Sequence, residues 1–531
     1  MRKILFFLPL ISYMSAWAAS VPAEDSLFKQ SRLNYKEINF LGNIYDGSHN
    51  PATLSFNKVQ TLSEATLNAR LERGGFQNVT SSSRLNHYSL DIFGLKQIGD
   101  FSLSGNIKYL NAKDYDHQWD NTYMLNPDNP FTLGDTIKSD MNTEEFSLHA
   151  GAAYRANDAL VLGLRINFVS GSRSDQHDPR PKTNSMRFGV NPGAILRLSD
   201  SHSLGLSANV DLFNSKMTHT IVNTYLRYQY FLMKGMGDNT TFSTETNSSY
   251  PRDYNGLNLG GHLQWNAKWD GFNNMLEVGG TYIQENAKDG GSSYTYKGGD
   301  FHQINLDATD RLSLGTNRLK HNIILTGVFS KTQGDWYDQM RKVDINHSNI
   351  FYYEVLSKDK VHDATRLNAG VEYRMDALEA PDVPLWTARV KGNMSYTEIT
   401  QTEFQENYKQ KYTLANVLAE GLKYWQLSRL RLTTALGGSY TMPLGDPEFA
   451  SVRGKLLENY TAPVFEYATA KAAQVHGRLA LDIPVSLWNT PTWMTVYAQA
   501  ACRFYNGDNK YSSLYDGKSH TTADFGIRII L

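Results

Sequence analysis

The sequence contains one cysteine, Cys502, so an internal disulfide is impossible, and no cysteine near the N-terminus is available to carry a lipid. It has no run of roughly 18 uncharged apolar residues, which excludes a membrane-spanning helix. Lysine and arginine total 52 against 53 acidic residues, leaving a formal net charge of −1 and no global field to attract a nucleic acid. No Gly-x-Ser-x-Gly elbow, His-Glu-x-x-His helix or phosphate loop occurs, so the common hydrolase, metalloprotease and nucleotide chemistries have no foothold. The expectation is a protein that is not an enzyme and takes no cofactor.

The chain opens with Arg2 and Lys3, an apolar run from Ile4 to Met14, and then Ala16-Trp17-Ala18. That is the layout of a secretory signal peptide, with cleavage expected after Ala18. The expected division is a signal peptide over 1–18, a periplasmic or plug segment over 19–60, and one β-domain over 61–531. Tyr 31, Gly 40 and 12% aromatics coexist with a mean hydropathy of −0.45. A polar average with many aromatics suits a transmembrane barrel, whose lumen and loops are polar and whose lipid wall carries aromatic girdles.

In lipid every backbone polar group must be paired internally, so without apolar helices only a closed sheet can span. Its mark is period-two alternation in segments of about 10 residues. Phe101, Leu103, Gly105, Ile107 and Tyr109 alternate with Ser102, Ser104, Asn106 and Lys108, while Leu160, Leu162, Leu164, Ile166 and Phe168 alternate with Val161, Gly163, Arg165 and Asn167. Leu257, Leu259, Leu263 and Trp265 oppose Asn258, His262 and Gln264; Trp386, Ala388 and Val390 oppose Thr387, Arg389 and Lys391; Leu479 and Leu481 oppose Arg478 and Asp482. Short turns at 99–100, 157–158, 200–201, 270–271, 315–317 and 489–491 alternate with longer polar connections at 112–142, 172–184, 218–252, 332–364 and 443–469. Short turns belong at the periplasm and long loops outside. The pattern predicts an all-β, antiparallel up-and-down transmembrane barrel of about 18 strands, within a range of roughly 14 to 18, in a bacterial outer membrane. Its least marked strands lie at 62–72 and 410–424.

Phe525, Ile527, Ile529 and Leu531 share one face, so the last strand runs to the last residue. This resembles the C-terminal signal of barrels inserted by the barrel-assembly machinery, although Leu stands where that family more often has Phe. Asn50-Pro51-Ala52, with Leu54 and Phe56, resembles the Asn-Pro-Ala element at the mouth of the long-chain fatty acid transporter (porin-like) family. In overall layout the chain resembles an uncharacterised outer-membrane β-barrel family of Bacteroidota. The resemblance implies a channel or uptake component for polar or anionic solutes that supports TonB-dependent uptake, with a TonB-dependent receptor or a small solute as partner. The alternative is a barrel-anchored surface binding protein without an open pore.

Candidate sites follow from the lumen-facing phase. Arg366, Arg374, Arg389, Lys391, Arg429, Arg431, Arg478, Arg503 and Arg528 form an expected basic strip, with fewer inward acids, chiefly Glu372 and Asp482. Such a wall would favour anions, or its arginines would bind plug and loop carbonyls. Asp114, Asp116, His117 and Asp120, and Asp175, His177 and Asp178, have the composition of cation-binding loops but lack the fixed glycine and distal glutamate of an EF-hand, so solvated acidic loops are expected and no metal. Trp119, Tyr123, Tyr225, Tyr228, Tyr230 and Phe231 offer either a ligand platform or loop packing. His321 falls on an apolar face beside Ile323, the one position worth comparing with barrel phospholipases.

Overall fold

The computed structural model describes Leu33, residues 44–45 and residues 47–531 except 224, 245–248, 291–294, 346–349, 381–382, 404–405, 451–455, 488–489 and 506–517. The expected signal peptide and most of 19–60 lie outside the described residues. The strands are β1 Thr61–Gly74, β2 Arg84–Ile98, β3 Phe101–His117, β4 Leu133–Asp135, β5 Ser139–Arg155, β6 Leu160–Ser174, β7 Pro181–Arg197, β8 His202–Thr220, β9 Tyr228–Gly235, β10 Asp238–Thr244 and β11 Ser249–Trp269. They continue as β12 Phe272–Asp289, β13 Tyr296–Gly315, β14 Leu319–Asp344, β15 Ile350–Ala380, β16 Val383–Glu403, β17 Glu406–Leu427, β18 Leu430–Pro443, β19 Glu448–Ala450, β20 Ala472–Leu487, β21 Thr490–Tyr505 and β22 Ser519–Ile530.

Among the described residues, 18 of these strands close one antiparallel barrel. Each pairs with the next barrel strand along the chain, and β22 returns to β1 through Ala65↔Ile529 and Leu67↔Ile527. The remaining four stand apart: β10, β9 and β4 form a separate three-stranded sheet, and β19 is a short flap on β17. The alternation has the phase read from the sequence. Leu103, Leu162, Leu263, Val390 and Leu479 are exposed on the outer wall, and Ser102, Val161, His262, Thr387 and Asp482 are buried on the inner one. Apolar side chains exposed in this number on a closed sheet need a lipid environment, and the protein is an outer-membrane barrel. Leu162→Arg and Leu481→Arg should each cost about 2–4 kcal/mol near the bilayer midplane, whereas Arg165→Leu on the inner wall should be milder. Refolding yields into lipid vesicles would measure this, and equal damage from all three would refute the assigned faces.

Two groups of connections fill the ends. The turns at 99–100, 156–159, 198–201, 270–271 and 316–318 share the end that holds both the start of β1 and Leu531. The opposite end, the extracellular one by the rule that short turns lie at the periplasm, carries the longer connections, but two of these differ from expectation. Most of 332–364 is strand, because β14 and β15 continue as a hairpin paired out to Asp344↔Ile350, and the 172–184 connection shrinks to 175–180. Above the bilayer a ladder no longer needs an apolar face, so the alternation stops while the strand goes on.

The connection at 118–138 turns into the lumen. Phe131 and Leu133 bury there with Met217, Tyr230, Leu232, Tyr254 and Phe301, making a globular core inside the upper barrel. The connection at 444–471 carries a π-turn at Leu457–Thr461 and the helix α1, Ala462–Thr469. It leans on the small sheet: Thr461 Oγ1 donates to the Met236 carbonyl at 2.9 Å, and Tyr460 meets Trp119 at 5.3 Å between ring centroids. Together these pieces cap the extracellular mouth.

Candidate functional site

At the periplasmic end, residues 47–57 enter the lumen. Asn50 caps a 3-10 turn over Pro51–Phe56 by accepting the Ala52 N–H at 3.0 Å, with Pro51 pre-set in the first turn. The Asn50 amide also donates to the carbonyls of Ala194 at 3.0 Å and Leu206 at 3.3 Å, tying the turn to β7 and β8. Inward glycines make room for it. A Cβ on Gly163 would stand 2.2 Å from the Ala52 nitrogen, and one on Gly193 would stand 2.3 Å from Asn50 Oδ1.

Just above this turn, Ser48 Oγ donates to Glu277 at 2.6 Å, the His49 N–H donates to the same carboxylate at 3.1 Å, and His49 Nδ1 bonds it at 2.6 Å. That side-chain hydrogen bond pushes the His49 pKa above its ordinary value, against the opposing effect of burial. His49 stacks on His262 of β11 with centroids 3.9 Å apart and planes 5° from parallel, and His262 Nε2 reaches Asp307 of β13 at 3.2 Å. From the other side, the inward loop brings Asn126 and Asn129 onto Glu285 and places Asp128 against Gln303 at 2.7 Å.

Between the N-terminal turn and the inward loop lies a chamber of about 610 Å³. Its floor is His49 and its roof is Asn126, Pro127 and Asp128. Its walls carry Arg165, Asn167, Asn191, Asn209, Asp211, Asn258, His262, Gln303, Asn305 and Asp307 from β6, β7, β8, β11 and β13. Amides dominate, and an amide offers both donors and acceptors. The roof is clamped by Arg252, which is fully buried. It holds Asp289 with two nitrogens, one at 2.6 Å, and points its third toward the carbonyls of Phe131 and Thr132 at 3.4 and 3.5 Å. The Tyr254 hydroxyl donates to the Phe131 carbonyl at 2.9 Å.

The sequence profile of one family of unknown function matches residues 51–531. The chain belongs to this family, DUF6850. No curated protein matches the sequence. Similar solved structures include the RagAB peptide transporter, at 7% identity and a TM-score of 0.42 over 90% of this DUF6850 chain and 87% of that one. The outer membrane transporter YddB from Escherichia coli is 9% identical with a TM-score of 0.39 over 90% and 81%. The siderophore receptor PiuA from Acinetobacter baumannii is 9% identical with a TM-score of 0.40 over 89% and 82%.

The basic strip of this DUF6850 barrel is accompanied by more acid than the sequence reading expected. Arg366 pairs with Asp128 of the inward loop. Arg374 meets Asp376 at 2.8 Å, Arg389 meets Glu372 at 2.8 Å and Glu420 at 3.9 Å, and Arg431 meets Asp482 at 2.8 Å. Lys391 lies opposite Glu372 in the β15–β16 register. Arg478 covers the Tyr497 ring, Arg503 donates to the Tyr467 hydroxyl at 3.0 Å, and Arg528 donates to Thr495 Oγ1 at 3.5 Å. Arg429 is exposed in the turn between β17 and β18, outside the inward phase of either strand. Asp128, Asp376 and Glu420 are acids that the sequence pattern did not bring out: Asp128 lies in the inward loop, and the other two sit in the inward phase of their strands.

The acidic loop clusters hold loops together. Asp114 pairs with Arg173 at 3.0 Å, Asp120 accepts the Thr122 N–H at 2.8 Å, Asp175 accepts the His177 N–H at 3.2 Å, and Asp178 accepts the Val222 N–H at 3.0 Å. Of the loop aromatics, Trp119, Tyr228, Tyr230 and Phe231 are buried in the cap, Tyr123 donates to Glu145 at 2.5 Å, and Tyr225 alone in this set is 93% exposed. His321 stacks on Tyr373 and bonds its hydroxyl at 2.8 Å, as an exposed pair on the outer wall. The His49, His262 and Asp307 grouping was invisible in the sequence.

Proposed function

We propose that this barrel is a gated uptake component for small polar solutes, with the amide-lined chamber as its binding stage. The observation that carries the reading is that both closures of the chamber, residues 47–57 and the inward loop, lie outside the barrel sheet, so either can leave without breaking a barrel pair. A volume of about 610 Å³ is in the range of small-molecule sites. Neutral amides with few net charges suit a hydroxyl- or amide-rich solute. The pairing along the basic strip supports a polar uncharged solute over an anionic one, because a compensated wall focuses little field. As partners the reading takes the barrel-assembly machinery, which would use β22 at the β1 seam, and a TonB-dependent receptor acting alongside.

The test is liposome swelling with lactose and with lactobionate, its carboxylate-bearing counterpart, using the full chain and a variant with one closure loosened. Lactose should enter at least as fast as lactobionate in the loosened variant. The reverse order would support the anionic reading. Entry of neither, in either protein, would refute uptake and favour a second reading that rests on the folded cap: a surface binding protein for which the barrel is an anchor.

A further inference from the structure

Among the described residues, only His49, His262 and Asp307 group as three side chains whose nitrogen and carboxylate atoms all lie within 4.8 Å of one another. Two are inward positions on barrel strands, and the third is carried by the segment that closes the periplasmic end. We infer that these three residues form a binding site for a divalent transition metal of the zinc class, and that the bound ion fastens the N-terminal segment to the barrel wall.

The donor set selects the metal class. Two imidazoles and one carboxylate suit zinc, nickel or copper, whereas calcium and magnesium demand oxygen ligands. Metal-bound histidines characteristically give their other ring nitrogen to a carboxylate, which fixes the ring and strengthens the donor. His49 already has this arrangement. Its Nδ1 is held by Glu277 at 2.6 Å, Glu277 is itself fixed by Ser48 Oγ at 2.6 Å, and Nε2 is left for an ion. The His49 side chain is 54% exposed toward the chamber while Glu277 is 3% exposed, so the ligand face is open and the supporting face is closed.

Tetrahedral zinc at about 2.0–2.1 Å from nitrogen needs donors roughly 3.3 Å apart. The two rings lie parallel with centroids 3.9 Å apart, so both nitrogens meet one ion only after one ring tilts out of the stack, and His49, half-exposed and carried by no strand, is the ring placed to do so. Three protein ligands leave a fourth position, and because all three residues line the chamber, that position faces it. The site goes beyond the uptake reading and does not depend on it, since binding in solution requires no transport.

The experiment uses the full chain without a polyhistidine tag, purified in detergent, stripped with chelator and titrated with zinc sulfate by calorimetry. The chain has 14 histidines, so weak surface binding is expected and the informative quantity is what His49→Ala removes. His49 lies outside the sheet, so its loss leaves every barrel pair intact. One tight zinc per chain should be seen, abolished by His49→Ala and by Asp307→Ala and weakened about 10–100-fold by Glu277→Gln. Zinc should also slow proteolytic release of the N-terminal segment in the parent and not in His49→Ala. Equal zinc affinity and stoichiometry in the parent and His49→Ala would overturn the site, and so would calcium binding as tightly as zinc.

Discussion

Arg252→Leu should release the inward loop and raise the single-channel conductance of the reconstituted barrel. Arg252 is fully buried, as is Asp289, and removing one member of such a pair leaves an uncompensated charge, which costs about 3–5 kcal/mol. The same guanidinium points at the carbonyls of Phe131 and Thr132, so its loss also strips the loop of donors at its deepest point. The cost falls on the cap and not on the barrel, because the β11–β12 ladder is made by backbone groups along eighteen residue pairs from Arg252↔Asp289 to Trp269↔Phe272. Residues 121–133 should become a protease target, while the band in unboiled detergent keeps its fast mobility. The double variant Arg252→Met with Asp289→Leu separates the two contributions. It removes the stranded charge, so thermal stability should largely recover, yet it restores no donor to the loop, so cleavage and conductance should stay high. An Arg252→Leu protein cleaved like the parent would show that the clamp does not hold the loop.

The barrel was legible because lipid inverts the usual rule. An apolar residue at every second position over about 10 residues has one economical explanation when no helix can span. Where the signal faded, the structure supplies the reason. Over 410–424 the lipid face of β17 carries Ala415, Ala419 and Gly421 beside Val417, while Leu418 and Leu422 point inward, so the amplitude of alternation is small. Along β14 and β15 the strands outrun the membrane, and a segment polar on both faces reads as a loop.

The chamber was much less legible. His262, Asn258, Arg165 and Asn167 were each assigned inward by phase, but phase gives only the face of the sheet and not the height in the lumen. Height depends on the register of successive ladders, such as His262↔Gly279 followed by Gly279↔Asp307, and one-residue slips in register leave little trace in an inner wall of mixed polar residues. His49 belongs to no strand, so no periodicity could bring it to His262. The compensation of the basic strip was hidden for the same reason: Arg389 meets Glu420 only because β16 and β17 pair Arg389 with Glu420. Asn-Pro-Ala was visible as a resemblance, while its docking surface, which includes Gly163 on β6, Gly193 on β7 and Gly205 on β8, was not.

That docking surface yields the second large effect. Gly163→Val should expel residues 47–57 from the lumen and open the periplasmic end. The new Cβ would lie 2.2 Å from the Ala52 nitrogen, 2.5 Å from the Pro51 carbonyl carbon and 2.6 Å from the Ala52 α-carbon, all backbone atoms that cannot rotate away. Overpacking of this kind costs about 1–3 kcal/mol where neighbours can shift. Here the shift available is departure of the whole turn, with loss of the Asn50 bonds to Ala194 and Leu206 and of the apolar contact with Ala153, Val161 and Ile195. The strand itself should benefit, since valine suits a pleated strand better than glycine. Assembly and heat-modifiable mobility should therefore be unchanged, while a cysteine placed at residue 52 becomes reactive to a bulky maleimide and conductance rises. Gly327→Val is the matched control. That glycine also lies in a barrel strand, but a Cβ there meets nothing within 4 Å, so neither labelling nor conductance should change. If Gly163→Val and Gly327→Val behaved alike, the turn would not be seated against β6, and the periplasmic closure of the chamber would have to be assigned to another part of the chain.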